Sequence, residues 1–145
     1  MNTGRYHLSG WAPEDPLFSV QAGDYQKYLS SYQSLAKELN LCLVPGTFVE
    51  RHQLQTEENE PQQFRWYNTA YFINNDGQII GSYRKKNVWH PEREYLTSSA
   101  HDPHEVMNTP IGKIGILICW DLAFPEAFRE LIARGAQVII MPVFC

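Results

Sequence analysis

Between Asp24 and Leu39, apolar residues recur at helical spacing: Tyr25, Tyr28, Leu29, Tyr32, Leu35, Ala36 and Leu39 share one face of a 3.6-residue repeat. This predicts an amphipathic helix. Asn40 leads into Leu41-Cys42-Leu43-Val44, and on to Phe48, a short apolar run that reads as a buried strand closed by Pro45 and Gly46. The stretch before the helix, with Trp11, Pro13 and Pro16, reads as irregular. Residues 51–64 are polar and contain Pro61, which predicts a solvated loop. Two strand-like runs follow, Trp66–Ile73 and Gln78–Lys85, joined through Asn74, Asn75, Asp76 and Gly77, residues that supply positive φ cheaply.

A second hairpin is expected where Val106–Pro110 meets Lys113–Trp120 through Pro110, Ile111 and Gly112. Its second strand is apolar up to Cys119, which therefore stands at a strand's C-terminal end. Pro125 opens a helix that stops at Gly135, and residues 136–143 read as another buried strand. Helix and strand alternate in the manner of an α/β layered domain, with no internal repeat. At 145 residues the chain has the size of one domain.

Composition narrows the function. Hydrophobic residues make up 43% and charged residues 19%, the balance of a packed protein rather than a disordered one. A net charge of −4 with scattered Lys and Arg provides no basic stripe, so no nucleic-acid partner is expected. The apolar runs fall well short of a membrane span and the N-terminus lacks a signal-peptide core, so neither a membrane partner nor export is expected. Three cysteines, Cys42, Cys119 and Cys145, are too few for a disulfide framework and favour a reducing, cytoplasmic setting.

Cys119 is the candidate nucleophile, because a cysteine at a strand end just before a helix is held where backbone N–H groups point outward. Around it, Gly115-Ile-Leu-Ile-Cys-Trp-Asp-Leu-Ala-Phe-Pro-Glu-Ala-Phe-Arg129 through Gly135-Ala136 resembles the nucleophile segment of the nitrilase superfamily of carbon–nitrogen hydrolases. Upstream, Tyr67-Asn-Thr and the strand ending Tyr83-Arg84-Lys85 resemble the same family's lysine segment, which aligns Lys85, not Lys86, with its catalytic lysine. The resemblance covers about Tyr6 to Pro142 and implies an α/β fold, specifically part of an α-β-β-α sandwich.

The resemblance further implies that the Cys119 thiolate forms a thioester with an amide or nitrile substrate. The oxyanion would be held by Lys85 and the backbone N–H of Trp120, and no metal or organic cofactor would be needed. An ammonium beside a thiol favours the thiolate and stabilises a tetrahedral oxyanion, so one lysine serves both needs. Glu92 resembles a second carboxylate that hydrogen-bonds the lysine, with Glu94 as the competing assignment. Asp121, Glu126 and Arg129 match family positions that read as structural, bonding around the nucleophile turn and helix start.

The family's general base is a glutamate in a Pro-Glu-Tyr-His segment, and Arg5 occupies that position here, before Tyr6 and His7. Arginine does not take a proton from a thiol. Neither Glu14, in an acidic proline-rich turn, nor Glu50, in a strand-end Val-Glu-Arg, reads as its replacement. By resemblance, residues 1–145 form one incomplete domain, lacking a first strand and later elements, and inactive by itself; the full-length protein would be a homo-oligomer. The alternative is a non-catalytic binding or oligomer partner, which Arg5 favours. A thiol redox role lacks a Cys-x-x-Cys pair, and a zinc site at His90, His101 and His104 is disfavoured because the His101–His104 segment reads as a proline-containing loop.

Overall fold

A computed structural model describes residues 16–54 and 61–143, the side chains of Pro16, Leu17 and Ser19 excepted. Arg5, Trp11, Glu14 and Cys145 lie outside the described residues. Helices α1 (Pro16–Gly23) and α2 (Tyr25–Glu38) precede an antiparallel sheet, order β1-β2-β3, of β1 (Thr47–Gln53), β2 (Phe64–Ile73) and β3 (Ile79–Arg84). A second sheet, order β4-β5-β6, contains β4 (Val106–Thr109), β5 (Gly112–Ile116) and β6 (Val138–Ile140). The β5 and β6 strands are parallel, with helix α3 (Pro125–Ala133) as their crossover.

Alternation along the strands sets the layers. Phe48 and Ile73 turn outward and pack with Leu29, Ala36 and Tyr32 of α2. Ala70, Phe72 and Tyr83 turn inward and join Met107, Ile114, Ile116, Leu117, Ala127 and Leu131 in one core. A Cβ added at Gly81 would lie 2.5 Å from Met107 Sδ, and one at Gly115 would lie 2.8 Å from the Leu131 methyls. These glycines let the two sheets, and sheet and α3, approach closely. The resulting order is α2, first sheet, second sheet, α3, as expected for part of an α-β-β-α sandwich.

Four local expectations are corrected. The chain from Pro16 to Gly23 is helical, not irregular; proline is tolerated at a first helical position, and Phe18 and Ala22 bury against Val49, Val88 and Leu96. The run at 41–48 forms only an isolated bridge, Leu43 with Ile73, and the strand begins after Pro45 and Gly46. That strand continues through Gln53 into the expected loop, because Glu50, Arg51 and His52 find partners across the sheet. Finally, β6 is half-buried rather than buried, since as an edge strand it is paired on one side only, with Val138 exposed.

Candidate active site

Lys85 follows directly on β3, and its backbone N–H donates to Asn68 O at 2.8 Å, continuing the β2–β3 register by one residue. Its neighbours diverge from it. Lys86 reaches His104 Nδ1 at 3.4 Å and lines a polar groove of about 280 Å³ with Ser82, Arg84, Asp102 and Glu105. Lys85 instead points inward, and its ammonium lies 2.6 Å from Glu92 Oε2, both side chains being fully buried. Glu92 sits in a short 3-10 turn, His90–Glu92, where the same Oε2 accepts from Trp89 N–H at 2.9 Å. Glu94, the competing carboxylate, is exposed.

Cys119 opens a second 3-10 turn, Cys119–Ala123, three residues past the end of β5. Its N–H donates to Pro142 O at 3.0 Å, and its φ of +46° lies in the left-handed region that L-residues seldom adopt. Such strain persists only where the surroundings over-determine it, and Asp121 anchors the turn just before Cys119. Fully buried, Asp121 accepts from Ile118 N at 2.8 Å, Tyr83 OH at 2.9 Å, Asn87 N at 3.0 Å and Asn87 Nδ2 at 2.9 Å. One carboxylate thus binds the residue before Cys119 to the strand and loop that flank Lys85. Burial, with the adjoining Asp121 carboxylate, pushes the Tyr83 phenol well above its usual pKa, so it remains a donor. The Trp120 ring meets His90 edge-on at 6.1 Å, a second bridge between the Cys119 turn and the Glu92 turn.

The remaining expected residues are placed elsewhere. Glu126, in the first turn of α3, and Arg129 are both exposed, so the anchoring expected of three residues falls to Asp121. Glu50 is buried in mid-strand, accepting from the Tyr71 hydroxyl and lying 2.6 Å from His52 Nε2 and 3.6 Å from Arg84. His104 stacks on Tyr83 and bonds Glu130 at 2.7 Å, while His101 is exposed. Among the described residues no three His, Cys, Asp or Glu side chains converge to hold a metal. Two features were missed from sequence: the left-handed backbone at Cys119, which no composition signal marks, and Asn68, whose register opposite Lys85 depends on the hairpin alignment.

A carbon-nitrogen hydrolase family model matches residues 7–144. The chain belongs to the carbon-nitrogen hydrolase family. Within that family it is 35% identical over 121 residues to a probable hydrolase, YhcX, of Bacillus subtilis, covering 83% of this chain and 21% of that protein. It is 32% identical over 131 residues to the N-carbamoylputrescine amidase of Arabidopsis thaliana, covering 86% of this chain and 40% of that one. Among solved structures, Nit3 of Saccharomyces cerevisiae, a member of branch 10 of the nitrilase superfamily, is similar with a TM-score of 0.65 and 30% identity, over 81% of this chain and 39% of Nit3. The chain therefore spans about a fifth to two fifths of the length of these carbon-nitrogen hydrolase relatives.

Proposed function

We propose that this chain carries the nucleophile and oxyanion half of a hydrolase acting on small amides or nitriles, with Cys119 as nucleophile. The observation that carries the reading is the buried Lys85–Glu92 pair, held to the Cys119 turn through Asp121. A buried ammonium fixed by one carboxylate has further N–H donors to offer, and a tetrahedral oxyanion formed at Cys119 is the acceptor such a site would serve. On an amide, the Cys119 thiolate attacks the carbonyl carbon, the oxyanion takes hydrogen bonds from Lys85 Nζ and Trp120 N–H, and ammonia or an amine leaves with the proton the thiol gave up; on a nitrile, the attack gives a thioimidate, which takes up one water before ammonia leaves. The resulting thioester is hydrolysed by water, releasing the acid and regenerating the thiol. Glu92 keeps Lys85 in place.

The test measures ammonia release from a panel of small amides and nitriles, with intact-mass detection of acyl-Cys119. In a full-length form with glutamate at position 5, Lys85→Ala is expected to abolish both signals and Lys86→Ala to change them little; equal losses from the two would refute the assignment. A second reading, a non-catalytic binding partner, is favoured by Arg5 at the position of the family's general base. Under that reading no substrate on the panel releases ammonia, and Arg5→Glu in a full-length form is the variant that restores turnover if the base is the missing group.

A further inference from the structure

Asn68 is buried to 1% exposure in the middle of β2, and neither its Oδ1 nor its Nδ2 meets a hydrogen-bond partner. A carboxamide presents two acceptor sites and two donors, and buried amides as a rule are bonded. This one is placed with purpose. Its cross-strand neighbours are Val49 on β1 and, by continuation of the β2–β3 register, Lys85 beyond β3. Directly opposed residues of an antiparallel pair share a face, so the amide and the Lys85 side chain leave the sheet on the same side. Lys85 is thus the common neighbour of Asn68 and of the 87–92 loop that is bonded to the nucleophile turn.

We propose that Asn68 recognises the substrate's own carboxamide, its Oδ1 accepting from the amide N–H and its Nδ2 donating to the carbonyl, so that this site takes amides in preference to nitriles. The proposal rests on the reading of Cys119 and Lys85 as the reacting pair. An amide satisfies both halves of Asn68, whereas a nitrile has no N–H and leaves Oδ1 unmatched in a buried site. Sites built to bond an N–H or O–H reject analogues without one far more strongly than apolar pockets reject a changed methylene. Lys85 can donate to a carbonyl oxygen or to a nitrile nitrogen, so it does not by itself require an N–H on the substrate.

The experiment needs no turnover. Iodoacetamide and iodoacetonitrile alkylate thiols alike, but only the first carries a carboxamide, and Cys42 serves as an internal reference thiol in the same chain. Rates of S-alkylation at Cys119 and Cys42 are followed by peptide mass mapping. The Cys119-to-Cys42 ratio is expected to be about tenfold higher with iodoacetamide than with iodoacetonitrile, the discrimination of one to two net hydrogen bonds. Asn68→Leu, of the same branched outline, should erase that preference by slowing iodoacetamide at Cys119 more than it slows iodoacetonitrile. Should Asn68→Leu fail to fold, Asn68→Asp keeps the shape but loses the donors, and it should lower the preference likewise. If Cys119 outreacts Cys42 with both reagents and the amide preference is missing, or survives the Asn68 changes, the Asn68 assignment is overturned while the Cys119 reading stands. If Cys119 reacts no faster than Cys42 with either reagent, both fall.

Discussion

Replacing Glu92 with leucine strands the Lys85 ammonium in a site where neither side chain reaches solvent. At 2.6 Å, and with an effective dielectric constant of 20, the attraction between the two charges is about 6 kcal/mol. Desolvation of two ions costs several kcal/mol each, so the intact pair contributes little net stability. Removing one partner is different, because the desolvation of the survivor is no longer offset. Glu92→Leu should therefore lower the unfolding free energy by about 3–5 kcal/mol, a large share of the roughly 5–15 kcal/mol that holds a typical domain together. The double variant Lys85→Met with Glu92→Leu, which removes both charges, should recover most of that loss. Urea denaturation followed by tryptophan fluorescence measures all four corners of the cycle. A Glu92→Leu protein within about 1 kcal/mol of the native one, or a double variant that costs the sum of the singles, would refute a buried, mutually dependent pair.

Asp121→Leu leaves four donors from Ile118, Tyr83 and Asn87 without an acceptor, and should cost at least about 3 kcal/mol in the same denaturation assay. It should also narrow the alkylation advantage of Cys119 over Cys42; an unchanged advantage would mean that Asp121 does not hold the turn. The hydrogen bond from His104 holds the Glu130 carboxyl below its ordinary pKa of 4.5, so the stabilisation is present above that value and lost as pH falls through the lowered one. Glu130→Gln should accordingly flatten the acid side of the Tm–pH curve below about pH 4.5, and superimposable acid limbs would exclude the pair as a contributor.

The parts of the fold that a short sequence window encodes were legible. Helix α2 follows from its apolar spacing, and the β2–β3 hairpin from Asn74-Asn75-Asp76-Gly77, where Gly77 takes a φ of +79°. The family was legible from the segment around Cys119. What escaped depended on pairing across the chain. Strand β1 carries Arg51 and His52, which look like loop residues until Phe64 and Arg84 are brought to them by the sheet. The apolar run at 41–44 looks like a strand, but the segment meets the sheet only at Leu43. Asn68 reads as an ordinary polar residue in a hairpin, and only the register reveals that it is buried opposite Lys85.

The left-handed backbone at Cys119 also fixes a matter of handedness. It swings Cβ and the carbonyl of Cys119, and with the carbonyl the N–H of Trp120, together to one side of the strand that precedes them, and the short covalent path between sulfur and N–H leaves the two near each other. A planar amide has two prochiral faces. If, as proposed, the Cys119 sulfur attacks and the oxygen settles toward Trp120 N–H and Lys85, one face of the amide is presented in preference to the other. The tetrahedral adduct formed at this cysteine would then be predominantly one stereoisomer, even when the substrate itself is achiral.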